Sequence, residues 1–148
     1  MRIAVIACLA LASFVAGCDA PPTRPDAPAA APAAGGHHAR NALDWDGVYE
    51  GTLPCADCPG IRTRLTLRQD GRYELETQYL DRQPRAERVA GSFTWQTDGS
   101  RITLDQAGDG RQYFVTEGRL IQLYLNGDRP QGPLAGHYEL KKVDAPGR

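Results

Sequence analysis

The stretch IRTRLTLRQDGRYELETQY, residues 61–79, contains two runs in which apolar and polar side chains alternate. An alternation of period two is typical of a β-strand with one buried face. Directly opposed side chains share a face, so the two apolar faces coincide if Leu67 lies opposite Tyr73. This register leaves residues 69–71 as a three-residue loop ending in glycine. The stretch therefore predicts a β-hairpin in which Arg64 lies opposite Glu76 on the outer face.

A second hairpin is predicted further along the chain. Phe93 and Trp95 alternate with polar residues, and two aliphatic residues follow with the same spacing after a polar segment. Placing Trp95 opposite Ile102 leaves Asp98-Gly99 as a two-residue turn, which is a strong hairpin signal.

The remaining pattern predicts more strands and no convincing amphipathic helix. Further strands are expected at residues 46–53, 111–116, 119–125 and 138–142, with turns at Glu117-Gly118 and Asn126-Gly127. About eight short strands in meander order are typical of an all-β fold, a small antiparallel up-and-down barrel.

The interior of such a barrel is either filled by side chains or wide enough for one small ligand. The inward-facing candidates for contacts with a ligand are Leu65, Leu75, Tyr79, Trp95 and Ile102. Ordinary core packing is the alternative role for these residues, because a small domain needs large apolar side chains to be stable.

The N-terminus is typical of a secretory signal peptide. Met1-Arg2 is a basic lead, and residues 3–15 form an apolar run too short to span a bilayer. The tetrapeptide VAGC, residues 15–18, resembles the lipobox of bacterial lipoproteins, in which the chain is cut before an acylated cysteine. We expect residues 1–17 to be removed and Cys18 to carry the lipid anchor.

This anchor predicts a place in the bacterial cell envelope, facing the periplasm. Asp19 directly follows the anchor cysteine and resembles the signal that retains enteric lipoproteins in the inner membrane. Because that rule differs between bacterial groups, we expect the outer membrane rather than the inner membrane.

Residues 18–42 predict a tether between the anchor and the folded part. They are rich in proline and alanine and contain almost nothing apolar to bury. His37 and His38 are weak candidates for metal binding, because adjacent imidazoles on a flexible chain are usually incidental. The folded domain is expected to cover residues 43–148.

Composition argues against two classes of function. Seventeen Lys and Arg residues against 18 Asp and Glu residues give a formal net charge of −1, so no nucleic-acid footprint is present. Between residues 43 and 148, the only histidine is His137 and the only serines are Ser92 and Ser100. Their spacing indicates no nucleophile and base pair, and we therefore expect a non-enzymatic protein.

Cys55 and Cys58 are the only cysteines expected to remain as thiols in the mature protein. In the oxidising envelope such a pair tends to form a disulfide. A redox-catalytic pair usually begins a helix, whose dipole favours the thiolate, whereas Pro59-Gly60 and a predicted strand follow Cys58. Structural zinc needs four ligands, but two thiolates can hold Cu(I). A structural disulfide and a thiolate copper site stay open as alternatives, and disulfide exchange is disfavoured.

Several segments closely resemble the N-terminal domain of the NlpE family. They are VYEGTLPCADCPGI (residues 48–61), the LTL strand (65–67), DGRY (70–73) and GSFTW (91–95). The family comprises envelope lipoproteins linked to copper resistance and to surface and envelope-stress sensing. The resemblance covers most of residues 45–143 and implies a lipocalin-like β-barrel. It also implies that Cys55 and Cys58 are the family's cysteine pair, suggested as a copper- or redox-responsive site.

Full-length relatives in that family carry a second, OB-like domain with further cysteines. Signalling or adhesion that depends on the second domain is therefore not carried over to this chain.

Two functional hypotheses result. The first is a lipid-anchored binding or sensing module whose Cys55–Cys58 turn responds to copper or redox state, with the membrane and envelope sensor proteins as partners. The second is a lipocalin-like carrier of a small apolar ligand, in which the cysteine pair is a purely structural disulfide.

Overall fold

A computed structural model describes residues 38–143 of this 148-residue chain. Eight strands form a closed antiparallel barrel in which each strand pairs with the next along the chain and the last pairs with the first. They are β1 (Gly47–Leu53), β2 (Ile61–Leu67), β3 (Arg72–Tyr79), β4 (Glu87–Trp95), β5 (Arg101–Leu104), β6 (Gln112–Thr116), β7 (Arg119–Gln122) and β8 (Glu139–Val143). The predicted all-β, up-and-down barrel of about eight strands is confirmed.

Within residues 38–143, helical structure is confined to short segments. The helix α1 covers Ala39–Ala42, and two 3-10 turns cover Gln106–Gly108 and Ala135–Tyr138. No helix within residues 38–143 combines the length and the hydropathy that crossing a bilayer would take. The predicted signal peptide, Cys18, Asp19 and His37 lie outside the described residues.

The β2–β3 hairpin has the predicted register, with Leu67 opposite Tyr73 and Arg64 opposite Glu76. Gly71 ends the loop with φ 80°, the left-handed conformation that favours glycine. Arg64 and Glu76 lie opposite each other but do not form an ion pair with each other. Each bonds instead to the strand on its other side. Arg64 forms an ion pair with Glu50 of β1, and Glu76 forms one with Arg88 of β4.

The β4–β5 hairpin also has the predicted register, with Trp95 opposite Ile102. Its turn is wider than the predicted Asp98-Gly99 pair, because the strands end at Trp95 and Arg101. The Asp98 carboxylate accepts a hydrogen bond from the backbone N–H of Arg101 at 3.1 Å. This side-chain bond takes the place of a strand-to-strand bond and widens the turn.

Two strand boundaries differ from the predicted pattern by more than one residue. β4 begins at Glu87, six residues before the alternation that starts at Phe93. β7 ends at Gln122, where the predicted strand continued to residue 125.

The barrel interior is a single cluster of buried side chains. Leu65, Leu75 and Ile102 belong to it, with exposures of 0%, 2% and 0%, and Trp95 packs against it while partly buried. Tyr79 lies at the end of β3 and is also partly exposed. Contact of these five residues with a bound ligand stays a prediction.

One end of the barrel, which we call the closed end, contains the first residues of β1 and the turn between β4 and β5. Trp45 packs edge-on against Phe93 and Trp95, with ring centroids 5.9 and 5.2 Å apart. Tyr49 donates its hydroxyl hydrogen to the Trp45 carbonyl oxygen at 2.6 Å, which fixes the entering chain. Aromatic side chains thus cover the core at this end.

The segment Ala39–Ala42, placed in the tether by the sequence pattern, also belongs to the closed end. Ala39 is 6% exposed and lies in the core cluster. The backbone N–H of Arg40 donates to the carbonyl oxygen of Gly99 at 3.0 Å. α1 therefore packs against the closed end four residues before Leu43, where the predicted domain begins.

Candidate functional site

The opposite end of the barrel, which we call the disulfide end, contains the loop of residues 54–60 between β1 and β2. Cys55 and Cys58 form a disulfide there, with their Cα atoms 5.3 Å apart. The chain then returns next to β1, where a Cβ atom at Gly60 would lie only 2.4 Å from the methyl carbon of Thr52. Glycine is required for this close approach.

The sequence predicted that neither cysteine begins a helix, and the structure confirms this. The chain continues from Cys58 through Pro59-Gly60 directly into β2, which begins at Ile61. The disulfide therefore closes a loop between two extended segments, without a helix dipole to favour a thiolate.

Oxygen atoms lie close to both sulfur atoms. Oδ1 of Asp57 is 3.6 Å from Sγ of Cys55, and the carbonyl oxygen of Gly60 is 3.4 Å from Sγ of Cys58. Because a disulfide sulfur has no hydrogen to donate, these are contacts rather than hydrogen bonds.

Arg82, which sequence reasoning did not single out, joins this loop to the loop between β3 and β4. Its guanidinium lies 2.9 Å from the carboxylate of Asp57 and donates to the Asp57 carbonyl oxygen at 2.8 Å. The two side chains are 52% and 66% exposed, so the pair contributes well under about 1 kcal/mol. The contact holds the loop in place weakly and reversibly.

A groove of about 360 Å³ runs beside the disulfide. Pro54, Cys55 and Pro59 line one side, while Leu134 and His137 of the β7–β8 connection line the other. Cys55 faces this groove and Cys58 is not among its lining residues. The sequence identified His137 only as a lone histidine, because nothing local predicts that the β7–β8 connection returns to the cysteine loop.

The disulfide form does not fit a copper ion. Both sulfurs are committed to the S–S bond, and thiolate is the form that binds Cu(I). Within residues 38–143, no group of three or more His, Cys, Asp or Glu side chains is arranged to hold a metal. His38 lies against Gly99 at the closed end, away from the cysteine pair.

A polar cluster in the barrel wall was not predicted. Asp105 accepts hydrogen bonds from the backbone N–H of Ser92 at 2.7 Å, the hydroxyl of Tyr73 at 2.8 Å and the backbone N–H of Ala107 at 3.2 Å. These donors, the Ser92 N–H above all, hold the pKa of Asp105 below its usual value. The only local signal is an aspartate placed to cap a helical turn.

The fold and site together define a small lipocalin-like β-barrel domain with a disulfide-closed CxxC loop at one end. The family model described as the NlpE N-terminal domain matches residues 49–133, more than half of this chain. The chain belongs to the NlpE family.

Relatives with known names agree with this assignment. Lipoprotein NlpE of Escherichia coli K12 is 28% identical over 90 residues, which cover 61% of this chain and only 37% of the relative. The 17 kDa lipoprotein of Treponema pallidum strain Nichols is 27% identical over 108 residues, covering 66% of this chain and 69% of the relative. Both relatives are named as lipoproteins.

A solved structure supports the fold directly. A lipoprotein from Shewanella oneidensis is 50% identical in sequence to this chain, and its crystal structure superposes on the chain with a TM-score of 0.66. The match covers 71% of this chain and 94% of the Shewanella protein.

Proposed function

We propose that this chain is a lipid-anchored, non-enzymatic sensing module of the bacterial envelope whose Cys55–Cys58 loop responds to redox state. The observation that carries the proposal is the position of the disulfide. It lies in a loop beyond the ends of β1 and β2, outside the buried cluster, and bridges only three positions of sequence. The bond can therefore break while the barrel stays folded.

The response follows from what the disulfide holds in place. Reduction takes two electrons and two protons and converts the S–S bond into two thiols. The loop then loses its covalent closure, and its connection to the neighbouring loop depends on the exposed Asp57–Arg82 pair and on the hydrogen bond from the Leu80 N–H to the Gly60 carbonyl oxygen at 3.0 Å. The groove between Cys55 and His137 changes shape with the loop. A partner protein, such as an envelope sensor, can distinguish the two states at this surface.

The proposed lipid anchor attaches the chain to the membrane. Cys18 is the proposed acylated residue, and two relatives that are named lipoproteins support it. The chain enters the barrel at the closed end, so the disulfide end is the one opposite to the point of attachment. In this proposal the anchor holds the chain at the outer membrane, on the periplasmic side. Mass spectrometry of the mature chain should find acyl groups on Cys18; a free thiol there would contradict the anchor.

The experiment that tests the redox role traps thiols directly from cells. Rapid acid quenching and alkylation should find the pair oxidised in normal growth and reduced when the envelope is made more reducing. A Cys55→Ser/Cys58→Ser variant should then give the downstream response constantly. A pair that stays oxidised under every condition, together with a variant that responds as the parent does, would remove the redox role.

The carrier hypothesis has less support. Leu65, Leu75 and Ile102 are fully buried among other side chains, which is what core packing requires. Native mass spectrometry of protein purified from the envelope separates the two functions, since a carrier should retain a bound lipid.

A further inference from the structure

One part of the barrel wall is paired on a single side. Residues Glu87 to Ser92 of β4 pair with β3, whereas the pairing with β5 covers only Phe93 to Trp95. β5 is four residues long, and the chain leaves the wall after it at the 3-10 turn Gln106–Gly108. The first half of β4 therefore has a free edge.

The direction of the backbone groups along β4 follows from one hydrogen bond. The N–H of Phe93 donates to the carbonyl oxygen of Gly71, directly before β3, at 2.8 Å. In an antiparallel ladder, alternate residues point to alternate sides. The backbone groups of Arg88, Ala90 and Ser92 therefore point away from β3, toward the free edge.

At this edge, the backbone groups of Ser92 have hydrogen-bond partners, whereas those of Arg88 and Ala90 do not. Its N–H donates to the Asp105 carboxylate at 2.7 Å, and its carbonyl oxygen accepts from the Asp105 N–H at 3.0 Å. Asp105 thus replaces one residue of a neighbouring strand. Within residues 38–143, no backbone partner bonds the edge-facing groups of Arg88 or Ala90. The N–H and C=O groups of these two residues, four groups in all, have no backbone partner among the described residues.

The side chains at this edge are exposed at Arg88 and Ala90, although the 3-10 turn Gln106–Gly108 lies next to β4. Arg88 and Ala90 on the outer face are exposed, and so is Glu87 on the inner face. Val89, also on the inner face, is only partly buried although it touches the core, while the cross-strand partner of Val89, Leu75, is 2% exposed. The wall is open here on both faces and along its edge.

We propose that the β4 edge at Arg88–Ala90 is a docking site for an extended strand of another polypeptide. An added strand would satisfy the four free backbone groups, which is how exposed sheet edges recognise peptides. Its alternate side chains would continue the inner face of the barrel. This site is separate from the Cys55–Cys58 loop and does not depend on the redox proposal.

The edge defines the chemistry of the incoming strand. On the inner face, an apolar side chain opposite Val89 completes the core, and a basic side chain opposite Glu87 forms a cross-strand ion pair. Glu87 has no ion pair within the described part of the chain, whereas Arg88 already pairs with Glu76 at 3.3 Å. A second copy of this chain, paired antiparallel with Arg88 opposite Ala90, would set Gly91 against Glu87 and leave the carboxylate unpaired. A strand with alternating valine and lysine fits better.

The test uses a synthetic peptide with valine and lysine on one face and threonine on the other. The probe is added to the mature chain in detergent micelles, and amide hydrogen exchange is followed at Arg88 and Ala90. The proposal predicts that both amides exchange fast alone and slowly with the peptide. A control peptide of the same sequence, N-methylated at alternate amides, should give no protection.

A matched pair of variants locates the binding to this edge. Ala90→Pro removes an N–H that does not bond to β3, and proline is tolerated on an edge strand, so the barrel should still fold. Binding of the peptide should be lost, because the edge then lacks this donor. Ala90→Ser keeps the N–H and should bind as the parent chain does.

Three results would overturn the proposal. One is equal binding of the normal and N-methylated peptides to the parent chain, which does not depend on how well any variant folds. Another is unchanged exchange at Arg88 and Ala90 with the normal peptide present. The third is sedimentation showing self-association that Ala90→Pro abolishes, which would assign the edge to a second copy of this chain.

Discussion

The two ends of the barrel are built differently. At the closed end, Trp45, Phe93 and Trp95 pack edge-on, and α1 adds Ala39 to the core. At the disulfide end, the loops are polar and exposed, and Leu125 and Leu134 are 88% and 59% exposed. One end is held by burial and the other by a covalent bond and an exposed ion pair. A change in redox state can therefore alter the disulfide end while the closed end keeps the barrel intact.

The largest expected effect comes from breaking the closed end. Phe93 is 6% exposed and contacts Trp45, so Phe93→Ala should lower the free energy of unfolding by about 3–5 kcal/mol. Urea denaturation measures this loss. Leu125→Ala at the other end is the matched control and should change stability by less than about 0.5 kcal/mol. Equal losses from the two substitutions would remove the contrast between the ends.

A smaller effect is expected from the disulfide itself. Its loop is so short that the chain-entropy model assigns it only about 2 kcal/mol. Cys55→Ser/Cys58→Ser should therefore remain folded, with an unfolding midpoint moderately below that of the oxidised parent. Parent protein reduced with dithiothreitol should unfold like the variant. An unfolded variant would show that the disulfide supports the whole barrel.

The third effect depends on pH and concerns the wall between the two ends. Asp105 has a pKa in the folded protein below its value in the unfolded chain, which is about 3.9. Its contribution is complete above that value and is lost as pH falls through the lowered folded-state pKa. Denaturation measured from pH 6 downwards should show a loss of stability that Asp105→Asn reduces. An unchanged pH profile in Asp105→Asn would contradict this role.

The smallest expected effect is that of copper on the oxidised protein. Both sulfurs are bonded to each other, so a titration with Cu(I), without added reductant, should give the same isotherm for the parent and for Cys55→Ser/Cys58→Ser. Tighter binding by the oxidised parent than by the variant would show that Cys55 and Cys58 contribute to a copper site even as a disulfide, and would contradict this expectation.

The sequence predicted best where one face of a strand is buried. The alternation in residues 61–79 determined the register of Leu67 and Tyr73, because only one register puts both apolar faces on the core. The sequence did not predict the start of β4, because neither face of the strand is buried there. Glu87 and Arg88 are exposed on opposite faces of an open edge, so no alternation marks them as strand.

The cysteine pair was found from sequence, but the residues around it were not. Cys55 and Cys58 stand out by spacing and by the predicted compartment. Arg82 and His137 reach the site from other loops, whose path depends on the closed barrel. Ala39 was missed because a short alanine-rich turn has no periodic pattern, and its place depends on a bond between Arg40 and Gly99.

The most direct test of the account is a comparison of the oxidised and reduced mature chain by amide hydrogen exchange, residue by residue. We expect faster exchange on reduction in residues 54–60 and in the two loops that contact them, with unchanged protection at Tyr49, Phe93 and Trp95. Loss of protection throughout the barrel, or identical exchange in the two states, would contradict it.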